Sequence, residues 1–329
     1  VVTRLFTAVL LLALYAPAAA AQTRPLVIAH RGASGYRPEH TLEAYRLAVE
    51  MGADFIEPDL VSTKDGVLMA RHENEIGATT DVATKFPDRR RTRTIDGQSI
   101  TGWFTEDFTL AEIRTLRARE RLPFRSHDHD GQFPVPTFDE VLDLVQTLSR
   151  TSGRTIGVYP ETKHPTYFRS LGLALEEPLL KALNARGWHD KTAPVFIQSF
   201  EVDNLRWLRS RTQVRLVQLL DERAGGARTS DEGLRAIREY ADGIGPHLRL
   251  LVPVGADGRL QPPTSLVARA HAAGLVVHAW TLRREPTFLH PDYGGDALAE
   301  FRQVIGLGVD GLFTDFPDLG AAAVRTGAR

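Results

Sequence analysis

The feature that most constrains this chain is a rhythm: short apolar runs of four to seven residues alternate with segments whose apolar residues recur at helical spacing. Runs of that length read as buried strands. Strands separated by helices pair in parallel, because each connection crosses back over one face of the sheet. Eight such runs stand out, at 26–30, 55–61, 156–161, 195–199, 215–219, 243–247, 275–280 and 311–314. Between them lie patterns such as residues 41–51, where Leu42, Tyr45, Ala48 and Val49 share one face and Gly52 stands as a C-terminal stop. Eight strands with intervening helices predict an α/β fold, a TIM (β/α)₈ barrel rather than an open sheet.

One interval breaks the rhythm. Between His72 and Pro136 lie about 65 residues where a short connection is expected. This predicts an insertion subdomain at about 73–136, in which the capping box Thr109 to Glu112 opens a helix with Ile113 and Leu116 on its apolar face. A second capping box, Thr137 to Glu140, starts the helix that returns to the barrel. An insertion at the loop end of a barrel strand sits over the mouth, so it is expected to shape substrate access.

Residues 1–21 read as a secretory signal, with Arg4 as the positive region, an apolar stretch over 5–15 and Ala19-Ala20-Ala21 at the cleavage site. The mature barrel then spans 22–329. The initiating valine fits a bacterial alternative start codon, so the expected destination is the periplasm or the medium. Eleven apolar residues are too few to span a bilayer, and no second long apolar run follows, so no integral membrane segment is expected in the mature chain. The chain has no cysteine, which leaves oxygen and imidazole as its metal ligands. A formal charge of −1 argues against nucleic acid as a partner. The local basic run Arg89, Arg90, Arg91 and Arg93 reads as a solvated loop.

The chemistry concentrates at strand ends. Glu57 and Asp59 are two residues apart, so on a strand they project from the same face. Adjacent carboxylates repel each other and are tolerated around a cation; hard oxygen donors suit calcium or magnesium. Glu161 ends the third run and closes the set, with Lys163 two residues on. His30 follows the apolar run 26–29 and is itself followed by Arg31 and Gly32, a phosphate-binding guanidinium and a backbone open to close approach. His72 closes the hairpin-like segment 64–71, whose Asp65-Gly66 is a turn signal. Two imidazoles divide general acid and base roles, and a divalent metal polarises phosphoryl oxygens. Glu57, Asp59 and Glu161 contribute −3, a metal +2, and Arg31 and Lys163 +2; the sum of +1 suits a singly charged phosphodiester. Gln198, Trp280 and Asp315 fall at later strand ends. Gln198 and Trp280 are read as lining the substrate site, with core packing the alternative for Trp280. The run from His127 to Asp130 reads as a solvated loop.

These strings together resemble the glycerophosphodiester phosphodiesterase family, most closely its secreted, periplasmic type, from Val27 to about Asp318. His30-Arg31-Gly32, Pro38-Glu39-His40-Thr41, Glu57-Pro58-Asp59, Thr63-Lys64-Asp65-Gly66, His72, Tyr159-Pro160-Glu161-Thr162-Lys163, Gln198-Ser199-Phe200 and Thr314-Asp315-Phe316-Pro317 fall in the family's order. The resemblance implies a barrel that hydrolyses small-molecule glycerophosphodiesters, such as glycerophosphocholine or glycerophosphoethanolamine, to sn-glycerol 3-phosphate and an alcohol. It implies Ca²⁺ as the metal, with Mg²⁺ the alternative. Glu57, Asp59 and Glu161 become metal ligands, His30 and His72 the catalytic pair, Arg31 and Lys163 phosphate contacts, and Glu39 a further carboxylate of the substrate site. The sequence departs from the pattern at His40, where asparagine is common, and at Glu73, where aspartate is common. Two rival readings remain at this point: a phospholipase of the sphingomyelinase D type, and an exported binder without catalysis. The head group, the roles of the two histidines, the first nucleophile and the oligomeric state are open.

Overall fold

The structure, a computed structural model, describes residues 24–224 and 226–327; the leader read at residues 1–21 lies outside them. Strand β1 (Leu26–His30) pairs in parallel with β2, whose halves Phe55–Glu57 and Asp59–Ser62 flank Pro58. Strand β3 is divided in the same way, into Gly157–Val158 and Glu161–Thr162, with Pro160 between. Proline has no N–H to give a ladder, yet the pairing runs on past both. Tyr159 donates to the Ile56 carbonyl at 2.9 Å, Glu161 to Pro58 at 3.0 Å and Lys163 to Leu60 at 3.1 Å.

Strands β4 (Phe196–Ser199), β5 (Arg215–Leu220), β6 (Gly243–Pro246), β7 (Val276–Leu282) and β8 (Gly311–Thr314) follow, each parallel to its predecessor. β8 then pairs with β1 and closes the ring. The predicted TIM barrel is the observed fold, and the eight apolar runs are its strands to within two residues. The first helix, Leu42–Glu50, begins at Thr41, whose hydroxyl accepts the Ala44 N–H, and buries Ala44, Tyr45, Ala48 and Val49.

Strand periodicity sorts the side chains into layers. Val27, Ala29 and Ile56 point outward into the cluster shared with the helices. Ile28, Phe55, Tyr159, Phe196, Val217 and Phe313 point inward and fill the barrel. Gly157 makes room for this layer, since a Cβ there would lie 2.1 Å from the Phe55 ring. Truncating one such buried ring costs about 3–5 kcal/mol in general. Two residues further along the same strands stand His30, Glu57, Glu161, Gln198 and Asp315. They inherit the inward direction and lie above the aromatic floor, at the C-terminal mouth.

The chain between β2 and β3 does more than connect. Leu68–Ala70 runs antiparallel to Asp59–Ser62, as the Asp-Gly turn predicts, and delivers His72. Residues 73–136 then carry the short helices Val82–Lys85 and Leu110–Ile113 and the hairpin Arg91–Ile95 with Gln98–Gly102. Both predicted capping boxes form, and the second opens helix Phe138–Ser152. Ile76, Val82, Phe108, Ile113 and Leu116 belong to the same contiguous cluster as the barrel helices, so the segment packs on the barrel core. Within the basic run, Arg89 pairs with Glu112 at 2.6 Å and lies over the Phe108 ring, and Arg93 pairs with Asp107. These two arginines brace the segment. His127 lies in an exposed turn, 2.9 Å from Asp130. Among the described residues, no helix is long and apolar enough to cross a membrane.

Candidate active site

Three carboxylates cluster in the mouth, directly above the aromatic layer. Ligand oxygens of Glu57, Asp59 and Glu161 all lie within 4.8 Å of one another, and all three side chains are buried. Each is held from outside the cluster. Glu57 accepts the Arg31 backbone N–H at 2.8 Å and the Gln198 amide at 3.0 Å. Asp59 lies 2.9 Å from His40 Nε2, and Glu161 accepts Lys163 Nζ at 3.0 Å. Asp59 Oδ1 has no hydrogen-bond partner among the described residues. Burial, then repulsion from Asp59 and Glu161, holds the Glu57 carboxyl well above the usual carboxylate range. Burial also pushes Glu161 up to about 8, with Lys163 opposing and Asp59 reinforcing the shift. The trio is therefore short of positive charge, and an orphaned oxygen faces the gap. Oxygen donors of this kind fit a divalent cation.

His40 explains how Asp59 stays ionised. Its ring is fully buried, with Nδ1 2.8 Å from the Tyr45 hydroxyl and Nε2 facing Asp59. A carboxylate only accepts, so Nε2 carries the proton and Nδ1 accepts from Tyr45. Burial opposes ionisation of Asp59, but the hydrogen bond from His40 and the nearby positive charges hold it well below its ordinary value.

The histidines flank the trio. His30 Nδ1 lies 2.6 Å from Asp315 Oδ1, and its Nε2 accepts Arg31 Nε at 3.2 Å. Asp315 is fixed in turn by Arg125 and Arg283, both at 2.6 Å. On the opposite side, His72 Nδ1 lies 3.0 Å from Glu73 and its Nε2 is 3.5 Å from Lys163 Nζ. Each imidazole thus has a carboxylate behind Nδ1 and a cation beside Nε2. Burial, then the Arg31 charge, lowers His30 to about 4 and His72 to about 3. Both are neutral at physiological pH, with the lone pair on Nε2 turned toward a neighbouring cation, Arg31 for His30 and Lys163 for His72.

Arg31 adopts a left-handed backbone, φ 60°, a conformation that costs on the order of 1 kcal/mol for a side-chain-bearing residue. It turns the guanidinium back over the mouth, where Glu39 accepts it at 3.1 Å and Asp59 lies 3.6 Å away. Glu39 also accepts Arg121 at 3.0 Å; it is buried behind Arg31 and braces that cation. The open cavity, ≈ 530 Å³, is lined by His30, Arg31, Glu57, His72, Glu161, Lys163 and Gln198, with Phe200, His247 and Trp280 forming an aromatic wall. Trp280 Nε1 donates to the Gly245 carbonyl at 2.7 Å, which satisfies its polar edge and leaves the ring at the wall.

Of the sequence-predicted site residues, His30, Arg31, Glu57, His72, Glu161, Lys163, Gln198 and Trp280 line this one cavity and Asp59 joins them through the carboxylate trio, whereas Glu39 stands behind Arg31 and outside the lining. Sequence reasoning missed the residues that hold them. Asp315 was seen only as a late strand end, although its motif was visible. Arg121 and Arg125 come from the inserted segment with no local signal, and His40 stood out only as a departure from a pattern.

The chain matches the Glycerophosphoryl diester phosphodiesterase family over residues 30–319. It belongs to that family. A glycerophosphodiester phosphodiesterase of Arabidopsis thaliana is 40% identical over 89% of this chain and 84% of its own length. Another, from Haemophilus influenzae, is 31% identical over 91% and 90%. Among solved structures, a glycerophosphodiester phosphodiesterase from Agrobacterium tumefaciens superposes with a TM-score of 0.62 at 23% identity, covering 91% of this chain and 99% of that one. An Oleispira antarctica phosphodiesterase, solved with the product sn-glycerol-3-phosphate, gives 0.64 at 18% identity, over 92% and 97%. The two structural likenesses bear on the barrel alone. The protein is accordingly a glycerophosphodiester phosphodiesterase, and its carboxylate trio is a site able to hold a divalent metal.

Proposed function

We propose that the enzyme hydrolyses small soluble glycerophosphodiesters, such as glycerophosphocholine and glycerophosphoethanolamine, to sn-glycerol 3-phosphate and an alcohol. The observation that carries this reading is the pair of imidazoles, His30 and His72, each presenting Nε2 to one cavity with a carboxylate behind Nδ1. Such a pair can move protons on both sides of a phosphorus centre. One Nε2 takes the proton of the attacking hydroxyl; the other, once protonated, gives its proton to the departing alkoxide oxygen. Asp315 and Glu73 stabilise the imidazolium form of each ring, which one histidine gains as base and the other gives up as acid, as a carboxylate behind a histidine does in general. Arg31 and Lys163 meet the anionic diester, and Gln198 holds Glu57 in place while its own oxygen has no partner among the described residues. Glu57, Asp59 and Glu161 hold the cation, Ca²⁺ in first place and Mg²⁺ as the alternative. When bound, it polarises the phosphoryl oxygens.

The aromatic wall of Phe200, His247 and Trp280, with the Phe200 ring 5.9 Å from Lys163 Nζ, suits a small head group. In the same reading residues 1–21 are a cleaved leader, residues 22–329 are one barrel with its insertion at about 73–136, and the mature enzyme works in the periplasm or the medium. A panel of glycerophosphodiesters assayed for sn-glycerol 3-phosphate, alongside vesicles of lysophospholipid, tests the substrate class. Turnover of the soluble diesters is expected. Strong turnover of the vesicles with none of the soluble diesters would overturn the reading in favour of a surface-acting phospholipase.

A further inference from the structure

His72 is the less enclosed of the two imidazoles, with its side chain 29% exposed against 12% for His30. His30 is locked by Asp315, which the buried Arg125 and the half-buried Arg283 hold from behind. What locks His72 comes from elsewhere. Glu73 places Oε1 3.0 Å from His72 Nδ1, and its other oxygen, Oε2, lies 2.8 Å from His164 Nε2. The second nitrogen of His164, Nδ1, lies 2.6 Å from Asp96 Oδ2. Four side chains thus stand in a line: Asp96, His164, Glu73, His72.

The chemistry of this line is determined by its ends. An ionised carboxylate only accepts, so with a carboxylate oxygen at each nitrogen of His164 both nitrogens donate, and His164 is an imidazolium. Burial works against that charge, but the hydrogen bonds and charges of Glu73 and Asp96 raise His164 above its ordinary value. Pinned by this cation, Glu73 keeps Oε1 3.0 Å from His72 Nδ1, where a carboxylate favours the proton on that nitrogen. The His72 lone pair is then fixed on Nε2, the atom that faces Lys163 and the cavity. Backbone geometry shows that the line is built in. His164 sits at φ 47° directly after Lys163, at the start of helix Pro165–Ser170. Asp96 and Gly97, at φ 48° and 79°, form the two-residue turn of the inserted hairpin, a tight turn that requires left-handed residues at both positions. The hairpin tip therefore reaches across to β3.

We propose that His164 and Asp96 are positioning residues for His72, acting through Glu73, so that the inserted hairpin sets the tautomer and orientation of an acid/base imidazole. This rests on the reading of His72 as catalytic. A shorter carboxylate at position 73 could not span both imidazoles, so Glu73→Asp belongs to the same test.

The experiment is steady-state kinetics of the full-length enzyme with saturating calcium. Glycerophosphocholine is the natural-type substrate, and the p-nitrophenyl ester of glycerol phosphate is an activated one that keeps slow variants measurable. His72→Ala comes first: undiminished turnover would remove the underlying reading rather than the inference. With His72→Ala impaired, His164→Ala, Asp96→Asn and Glu73→Asp are each expected to lower kcat on the order of ten- to a hundredfold while KM stays within about threefold. Added to His72→Ala, His164→Ala is expected to cost nothing further. Unchanged kcat in Asp96→Asn and His164→Ala would overturn the proposal. Losses that multiply in the double variant would also overturn it, because they would mean a general structural role. Asp96 is on an exposed turn, so Asp96→Asn decides the matter if His164→Ala fails to fold.

Discussion

At the scale of single residues, the account turns on what stands behind each reactive group. His30 has Asp315 2.6 Å behind it, and Asp315 is buried with Arg125 and Arg283. Asp315→Asn keeps the shape but can present an amide N–H to Nδ1, favouring the wrong tautomer. We predict a fall in kcat of about 10²–10⁴-fold with nearly unchanged KM, measured by release of sn-glycerol 3-phosphate. An equal rise in KM instead would make Asp315 a binding residue. His30, His72 and the three carboxylates were legible in the sequence because each sits in or beside an apolar run, where a polar residue is out of place without a task. Asp315 was half legible, at a strand end with no stated partner. Arg125 was not legible at all, since its contact with Asp315 spans 190 residues and nothing local marks it. Contacts of that range are products of the closed barrel.

At the scale of elements, alternation along the strands links packing to chemistry. Phe55 fills the interior and Glu57, two residues on, enters the site; Tyr159 and Glu161 do the same on β3. A push on the lower layer is therefore felt in the upper. Gly157→Ala places a methyl 2.1 Å from the Phe55 ring. Overpacking of this kind costs about 1–3 kcal/mol, and urea unfolding monitored by circular dichroism should show that loss. Stability equal to wild type would mean that the floor is looser than its geometry indicates. The strands themselves were legible from their apolar runs. Their interruptions at Pro58 and Pro160 were not, because a proline removes a donor without removing the carbonyl that the next strand uses. Both capping boxes were legible, since a threonine and a glutamate three residues apart satisfy each other's backbone partners wherever the helix lies.

At the scale of the whole molecule, closure of β8 on β1 is what gathers residues from 30 to 313 around one cavity, and it also sets a pH limit. His278 is buried inside the barrel against Tyr159, and burial lowers it to about 4. Its folded value lies below the unfolded one, near 6.5, so the unfolded chain takes up the proton first as pH falls. Stability that is intact above pH 6.5 is lost down to about pH 4, by about 3 kcal/mol from this group. Urea midpoints measured from pH 7 to 4 should fall, and should fall less steeply in His278→Asn; identical slopes would remove His278 from the explanation. The barrel was legible in the sequence as eight repeats of one pattern. The manner in which the insertion joins it was not, because Arg121, Arg125 and Asp96 act only across the closed mouth. On the proposed reading, catalysis needs a cation held by Glu57, Asp59 and Glu161 between the two histidines. The most direct test of that reading is a calcium titration of chelator-stripped enzyme, read as release of sn-glycerol 3-phosphate from glycerophosphocholine, with Asp59→Asn in parallel. The account predicts that stripping abolishes activity, that calcium restores it saturably in the wild type, and that Asp59→Asn is not restored at the same concentrations. Full activity in the stripped enzyme, indifferent to added calcium or magnesium, would contradict it.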